Sequence, residues 1–243
     1  MQRELHAWNL TPEQAIALQK KLAQQIVTED RLGEVHHVAG VDMAINKLNE
    51  MAHAAVVLLT YPQLEVIEQH IYEEPIRMPY VPGLLSFREA PCVLGAFQKL
   101  RQRPDLVMVD GMGIAHPRRI GIASHLGLWL NIPTVGCGKS LLIGKYEKEQ
   151  LGEEAGSWVP LVDKHEVIGA VVRTRAHVSP LFISPGHLIS LQTSIKYVLA
   201  CTKGYRLPEP TRLADKLSKD KEWQEPEESD RPDSGPQQPS LWS

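Results

Sequence analysis

The chain has 243 residues, of which 43% are hydrophobic and 23% are charged, as is typical of a globular protein with a sizeable core. It contains no run of about 18 apolar residues, and its first residues lack the apolar core of a signal peptide, so we expect a soluble cytoplasmic protein with no membrane association. The three cysteines are far apart, which excludes a CxxC-type zinc cluster and predicts reduced thiols.

The net charge of -3 is unevenly distributed along the chain. Residues 219–243 carry a net charge of -4, which leaves +1 for residues 1–218. Basic side chains cluster at 116–119, 138–146 and 173–177, and such clusters can form a local track for phosphate groups. Nucleic acid therefore remains among the expected partners of this slightly acidic chain.

The first predicted element is a helix over 10–27, with Thr11 as its N-cap, a proline at the first helical position and apolar residues at helical spacing. Three strand-like segments follow at 35–45, 54–61 and 64–74. Because a short turn joins the last two, we expect these strands to form an antiparallel meander.

Strands and helices then alternate along the chain. In order, the predicted elements are a helix at 87–102, a strand at 105–110, a helix at 118–131, a strand at 132–138, a hairpin at 157–177 and a helix at 183–203. This order predicts the α/β class, with a mixed sheet flanked by helices in a single domain over 1–218. Residues 219–243 are too polar to bury a core and are predicted to be a disordered, acidic, Pro-rich tail.

Two carboxylates interrupt otherwise apolar strands: Asp42 lies inside VAGVDMAI, and Asp110 ends DLVMVD. A buried carboxylate requires hydrogen bonds, a basic partner or a metal ion. Together with Glu89 at a predicted helix start, they would form an all-oxygen site that favours Mg²⁺ or Mn²⁺ and can hydrolyse phosphodiesters. Lys139 could orient the attacking water or neutralise the phosphate. Simpler alternatives are a turn cap for Asp110 and a surface side chain for Lys139.

The sequence GCGKS at 136–140 offers a competing interpretation, because GKS ends the phosphate-binding P-loop of nucleotide hydrolases. That motif requires glycine five positions before Gly138, where this chain has Pro133. The match is therefore confined to three residues, and a P-loop is not expected.

The segment MPYVPGLLSFRE places Tyr80 between Pro79 and Pro82. Proline fixes its own φ and biases the preceding residue towards extended geometry, so the segment can form a rigid turn that presents the tyrosine. Alone, such a turn is as well explained by a tyrosine that covers the core.

Taken in order, VAGVD, MPYVPGLLSFRE, VDGMGIAHPRRIGIASH, IPTVGCGKS, FISPGH and RLPEPTRLAD resemble the endonuclease V family over residues 5–216. The resemblance implies a ribonuclease H-like fold and a Mg²⁺-dependent DNA repair endonuclease. Such an enzyme recognises deoxyinosine and cleaves the second phosphodiester bond on its 3′ side, leaving a 3′-hydroxyl and a 5′-phosphate. It also implies that Asp42, Glu89 and Asp110 bind the metal and that Lys139 assists catalysis.

The resemblance assigns a wedge, inserted into the duplex at the lesion, to Pro79, Tyr80, Val81 and Pro82. An aromatic side chain that fills the gap left by an extruded base offsets part of the cost of unstacking. The walls of the expected base pocket are Leu85, Gly111, Gly113, His116, Gly121 and Ile122. For His116, a helix-capping role is an equal alternative.

Further expectations concern neighbouring residues. Arg118 and Arg119 are expected to contact phosphates. Met112 stands where relatives often carry a polar side chain, which puts a contact at that position in doubt. Asp215 stands where some relatives have histidine and is a further candidate metal ligand.

The last residues, QPSLW, resemble peptides that bind the bacterial sliding clamp, with Gln238, Leu241 and Trp242 as the anchor. This tether is a hypothesis that lies outside the family resemblance. Two alternatives to the main prediction remain: an endonuclease for inosine-containing RNA, and a non-catalytic nucleic-acid binding module.

Overall fold

The computed structural model describes residues 5–46 and 50–220. Its elements are α1 (Pro12–Ala23), β1 (His37–Asn46), β2 (Met51–Thr60), β3 (Val66–Pro75), α2 (Leu85–Phe97), β4 (Leu106–Val109), α3 (Ile122–Leu130), β5 (Thr134–Gly138), a short 3₁₀ turn (Lys148–Gln150), β6 (Trp158–Asp163), β7 (Glu166–Val172), β8 (Leu181–His187), α4 (Leu191–Ala200) and α5 (Glu209–Ser218). The tail assigned to 219–243 lies, from residue 221 onwards, outside the described residues.

One eight-stranded mixed sheet organises the chain, in the order β3-β2-β1-β4-β5-β8-β7-β6. The β1-β4 and β4-β5 pairs are parallel, and the other pairs are antiparallel. The predicted meander β1-β2-β3 and the hairpin β6-β7 are both present. The mixed sheet flanked by helices is therefore confirmed.

The helices cover both faces of the central strands. Alternate residues of β1 and β4 point to opposite faces, so Val38 packs with α4 and α5 whereas Ala39 packs with α2 and α3. The two apolar clusters enclose the parallel pair β1-β4 on both faces of the sheet. A smaller cluster joins α1 to Met78, Leu84 and Phe87 beside α2.

The helix α1 begins as predicted. The Thr11 hydroxyl accepts a hydrogen bond from the Gln14 backbone, and the Gln14 side chain accepts one from the Thr11 backbone, which completes a capping box. The helix ends at Ala23, four residues before the predicted end.

The prediction of one helix over 183–203 is wrong in its first part, because Leu181–His187 forms the strand β8 between β5 and β7. All seven residues of β8 are buried, so the strand shows no alternation of polar and apolar residues that would reveal it. Pro185 and Gly186 are unsuited to the interior of a helix. The helix itself begins at Leu191 after the N-cap Ser190.

The helix α5 was not predicted as an element, although its sequence was recognised as part of a motif. It packs against β1 and places Asp215 and Ser218 beside that strand. All three cysteines are buried free thiols, as expected, and burial raises the pKa of Cys92 and of Cys201 to about 12.

Candidate active site

Two aspartates lie side by side where the parallel pairing of β1 and β4 ends. Val41 and Val109 are register partners, and the Asp110 N–H donates to the Val41 carbonyl at 3.2 Å. Asp42 is the next residue on β1, so the backbone pairing brings both carboxylates to the same edge. Sites of α/β proteins gather at this edge, where the parallel strands have their carboxyl ends.

The helix α5 adds a third carboxylate. Asp42, Asp110 and Asp215 each offer one oxygen, and these three oxygens lie within 4.8 Å of one another. Gly40 permits this approach, because a Cβ atom there would lie 1.9 Å from the carbonyl oxygen of Pro210. The absence of a side chain at Gly40 therefore lets α5 lie directly on β1.

Two lysines pair with members of this group of three aspartates. Lys139, directly after β5, forms an ion pair with Asp110 and donates to Asp215 Oδ1 at 2.6 Å. Lys219 donates to Asp215 Oδ2 at 2.7 Å. Burial would lower the pKa of Lys139, but its bonds to the two aspartates outweigh burial and raise that pKa. Lys139 is therefore protonated at neutral pH and can donate hydrogen bonds but cannot serve as a general base.

The carboxylates differ in how their environment affects their charge. Burial raises the pKa of Asp110, and neighbouring Asp42 raises it further, against the opposing effect of Lys139. Burial would also raise the pKa of Asp215, but hydrogen bonds from Lys139 and Lys219 hold it below its ordinary value. Asp215 therefore has two lysine partners, whereas Asp110 has only Lys139 among the described residues.

Glu89 approaches from the other side of the sheet, on the first turns of α2. It is outside the group of three oxygens that lie within 4.8 Å. Burial raises its pKa to about 8, and the negative charge of Asp42 adds to this effect. The charges of Asp42 and Asp110 both raise the pKa of Glu89, and a nearby cation would favour its ionised form.

The donor set fits a hard divalent cation. Ligands on opposite sides of a small six-coordinate ion are about 4 Å apart, and the three aspartate oxygens lie within 4.8 Å of one another. No cysteine or histidine belongs to this group among the residues that the structure describes, and an all-carboxylate set selects Mg²⁺, Mn²⁺ or Ca²⁺ rather than zinc.

Ser218 is a member of the site that the sequence reasoning missed. Its hydroxyl donates to Asp42 Oδ2 at 2.6 Å and lies 3.1 Å from the Asp215 carbonyl oxygen, and the residue is buried. It therefore orients one carboxylate of the group from the last turn of α5. A lone serine after RLAD has no sequence signal of its own, since only the packing of α5 brings it to β1.

The segment Pro79–Pro82 is largely exposed and leads into a turn over Val81–Leu84; the two together are called the Tyr80 turn. Tyr80 is 65% exposed, whereas Val81 is half-buried. The Leu84 N–H donates to the Val81 carbonyl at 2.9 Å, and Gly83 has a φ of +78°. A proline followed by a glycine of positive φ within such a bond is the pattern of a type II turn. The chain is therefore constrained directly after Tyr80.

The three basic residues after Asp110 make contacts within the protein. His116 Nε2 lies 3.1 Å from the Gly83 carbonyl oxygen, and Arg118 Nη2 donates to the same oxygen at 2.6 Å. Arg119 binds Asp163 at 2.8 Å and Glu166 at 2.7 Å on the hairpin β6-β7. The expected phosphate contacts of Arg118 and Arg119 stay predictions, because both guanidinium groups already have protein partners.

The other residues of the expected base pocket lie between the turn and α3. Leu85 and Ile122 are the first residues of α2 and α3, and Ile122 packs against Gly111. The Gly121 N–H donates to the Gly113 carbonyl at 2.9 Å. The structure brings this loop beside the turn through the contact of His116 with Gly83. Its recognition of a base stays a prediction.

Met112 does not point into this region. Its side chain is 9% exposed and packs against Gly138 and within the cluster of Phe182. The doubt about a polar contact at position 112 therefore has a structural answer, because the methionine belongs to the core of the β6-β7-β8 side of the sheet.

Comparison with known proteins identifies the family. Residues 20–216 match the family model described as Endonuclease V. The chain belongs to the endonuclease V family. It is 54% identical over 214 residues to the Endonuclease V of Nostoc sp.. The matched residues cover 88% of this chain and 96% of that relative. The fold is accordingly ribonuclease H-like, and the predicted family and fold are confirmed.

Solved structures of endonuclease V agree with this fold. The Streptomyces avermitilis enzyme superposes with a TM-score of 0.82 at 38% identity, covering 87% of this chain and 93% of that structure. Ciona intestinalis Endonuclease V, in complex with a 23mer DNA containing an inosine followed by a ribo-adenosine, gives a TM-score of 0.75 at 31% identity, covering 86% and 97%.

As an endonuclease V, the chain is a nuclease that hydrolyses phosphodiester bonds, and the family is metal-dependent. The aspartates at 42, 110 and 215 form a group that can hold the metal ion. Within the described parts of the chain, no helix has both the length and the apolar character needed to cross a bilayer.

Proposed function

We propose that this chain is a DNA repair endonuclease that recognises deoxyinosine and hydrolyses the second phosphodiester bond on its 3′ side. The observation that carries the proposal is that the loop after Asp110, a member of the acidic cluster, contacts Gly83 beside the exposed Tyr80. The cluster supplies the hydrolytic chemistry, and the turn supplies access to the base. The related Ciona enzyme, in complex with inosine-containing DNA, supports this substrate class.

We assign metal binding to Asp42, Asp110 and Asp215, with Glu89 as the fourth carboxylate of the site. The oxygen-only donor set and its spacing favour Mg²⁺, for which Mn²⁺ can substitute. When bound, the ion stabilises negative charge on the scissile phosphate and lowers the pKa of a water molecule. Burial and the negative charge of Asp42 raise the pKa of the Glu89 carboxyl to about 8, and a cation held beside it would favour its ionised form.

Lys139 acts as a hydrogen-bond donor in this scheme. Its ammonium group stays protonated, because the aspartates around it raise its pKa. With a cation on Asp110 and Asp215, the Lys139 ammonium would donate to the scissile phosphate or to the attacking water. Ser218 holds the Asp42 carboxylate in place.

Base recognition belongs to the turn and the loop after β4. Tyr80 enters the gap left by the extruded base and stacks on the neighbouring bases, which offsets part of the few kcal/mol that unstacking costs. The hypoxanthine then lies against the region of Leu85, Gly111 and Ile122. A deaminated base pairs more weakly than adenine and is therefore extruded more easily.

The proposal is tested on a duplex with one deoxyinosine, with an undamaged duplex and a matched inosine-containing RNA as controls. We expect a Mg²⁺-dependent cut at the second bond 3′ to the deoxyinosine, with a 5′-phosphate on the downstream product. Faster cleavage of the RNA would assign the enzyme to RNA instead, and cleavage that ignores inosine would refute the proposed base recognition. Tight binding without any cut would make the chain a binding module.

Two further expectations belong to this proposal. Gln238, Leu241 and Trp242, the predicted sliding-clamp anchor, lie outside the described residues. Their role stays a prediction that deletion of residues 238–243 tests, because clamp capture in a pull-down must then be lost. The cytoplasmic location expected from the sequence also stays a prediction.

A further inference from the structure

Gln19 is a fully buried polar side chain on α1, and its amide is directed at the turn that bears Tyr80. Its exposed fraction is 0%, which is unusual for glutamine and requires that its amide find partners inside the protein. Gln19 Nε2 donates to the Gly83 carbonyl at 2.9 Å, and Gln19 Oε1 accepts from Arg118 Nε at 2.5 Å. Both ends of the amide are thus used, and its orientation follows from the two partners.

Three donors converge on that single carbonyl. Arg118 Nη2 donates to the Gly83 oxygen at 2.6 Å, and His116 Nε2 lies 3.1 Å from it. His116 Nδ1 accepts from the Arg118 N–H at 3.2 Å, so its proton resides on Nε2 and points at Gly83. Burial lowers the pKa of His116 to about 4, which keeps this neutral tautomer at physiological pH.

The convergence occurs directly beyond the segment that ends at Pro82. Gly83 has a φ of +78°, and a Cβ atom there would lie 2.6 Å from Arg118 Nη2, so the turn and the guanidinium are tightly packed. Gly83, three residues after the exposed Tyr80, is therefore held by α1 on one side and by the loop after β4 on the other. These attachments are 64 and 33 to 35 residues away in sequence.

We propose that Gln19, with Arg118, is a positioning residue that fixes the Tyr80 turn in the geometry needed to enter a duplex. The inference rests on the proposed function and names a residue just outside the region matched by the family model, 20–216. A turn that is already ordered loses less conformational entropy when the tyrosine inserts, which strengthens binding of substrates that must be unstacked. Single-stranded substrates, in which no base pair has to be opened, gain little from a turn that is already ordered.

The test uses Gln19→Leu, Gln19→Glu and the control Leu22→Ala, which removes buried volume from the same helix without touching these hydrogen bonds. Gln19→Glu keeps the acceptor for Arg118 but places a carboxylate oxygen against the Gly83 carbonyl. Hydrogen exchange of the Leu84 amide, which closes the turn, is measured in the free protein. We expect faster exchange in both Gln19 variants than in Leu22→Ala, and equal exchange in all three would overturn the proposal.

Cleavage assays then test whether the contacts of Gln19 matter for function. For both Gln19 variants, we expect kcat/KM on a deoxyinosine duplex to fall about tenfold relative to that on the single strand, the factor for one lost buried hydrogen bond. Leu22→Ala must leave that ratio unchanged. Equal losses on both substrates would reduce Gln19 to a residue that only supports folding. Failure of the wild-type chain to cut either inosine substrate would refute the proposed function, and hydrogen exchange would still decide whether Gln19 anchors the turn.

Discussion

The acidic cluster and the Tyr80 turn are built on opposite principles. The cluster stands on two central strands of the sheet, where backbone pairing of β1 with β4 sets the separation of Asp42 and Asp110. The turn is an exposed loop whose shape depends on a proline, a glycine and donors from distant elements. The sheet therefore positions the hydrolytic carboxylates, whereas side-chain contacts position the turn that is proposed to reach the base. Substitutions in the cluster should therefore change cleavage without changing duplex binding, whereas substitutions in the turn should act mainly on the duplex substrate.

The largest effect is expected at the cluster. Asp110→Asn removes one carboxylate of the metal-binding group, and the cleavage rate should fall at least about 100-fold, because several kcal/mol of transition-state stabilisation is lost. Duplex binding, measured by fluorescence anisotropy, should persist, because the turn is untouched. The exposed Glu29→Gln serves as the control for loss of one negative charge. Cleavage at the wild-type rate would remove Asp110 from the site.

Acid should lower the free energy of unfolding through two buried histidines near the turn. Burial lowers the pKa of His116, which faces Gly83, to about 4 and that of His125, which binds the Ser86 hydroxyl at 3.0 Å, to about 3. Unfolded histidine titrates near 6.5, so below that pH the unfolded state binds more protons than the folded state. The free energy of unfolding should therefore fall between pH 7 and pH 5, by about 2 kcal/mol per histidine.

Urea unfolding at the two pH values measures this loss. His125→Phe keeps the packing with the rings of Trp8 and Phe87 but removes the titrating group, so its stability should depend less on pH. The exposed His177→Gln is the control for removal of a histidine. An undiminished pH dependence in His125→Phe would contradict the assignment.

A single methyl group should disturb the turn. Gly83→Ala forces alanine to a φ of +78° and brings its Cβ to 2.6 Å from Arg118, and we expect a loss of about 1–2 kcal/mol in the free energy of unfolding. Gly33→Ala, with nothing within 4 Å of the added Cβ, is the matched control. Cleavage of the deoxyinosine duplex should fall more than cleavage of the single strand. An equal fall on both would mean that the turn does not act on the base stack.

The smallest effect is expected at Ser218. Ser218→Ala removes the hydrogen bond to Asp42 and should raise the Mg²⁺ concentration for half-maximal cleavage about tenfold, the lower end of the range for residues that orient a metal ligand. Ser124→Ala, which deletes a buried hydroxyl that has no partner within the described residues, should leave that concentration unchanged. An unaltered metal dependence in Ser218→Ala would limit Ser218 to a packing role.

The two regions also differ in how well the sequence predicts them. Asp42 and Asp110 stand out as carboxylates in apolar strands, and the pairing of those strands follows from the pattern of elements. Asp215 was reached only through the family resemblance, because α5 was not predicted. Ser218 was missed, since its role exists only once α5 packs on β1 at Gly40.

Around the turn, the local sequence predicts a constrained loop but not the long-range hydrogen bonds that hold it. Pro79 and Pro82 predict a constrained loop, and the structure has one. The contact between Gln19 and Gly83 spans 64 residues and leaves no periodic or local trace. Arg118 illustrates the same limit: a basic side chain reads as a phosphate contact in sequence, whereas in the fold it binds a carbonyl and an amide.

The most direct measurement compares Asp110→Asn with Tyr80→Ala on one deoxyinosine strand, presented single-stranded and as a duplex, in single-turnover cleavage with Mg²⁺. Asp110→Asn should lose activity on both substrates by the same factor. Tyr80→Ala should lose at least about fivefold more on the duplex than on the single strand, since stacking of a base on an aromatic ring contributes about 1–3 kcal/mol. The same ratio of duplex to single-strand activity in both variants would contradict the division into a hydrolytic cluster and a base-extruding turn.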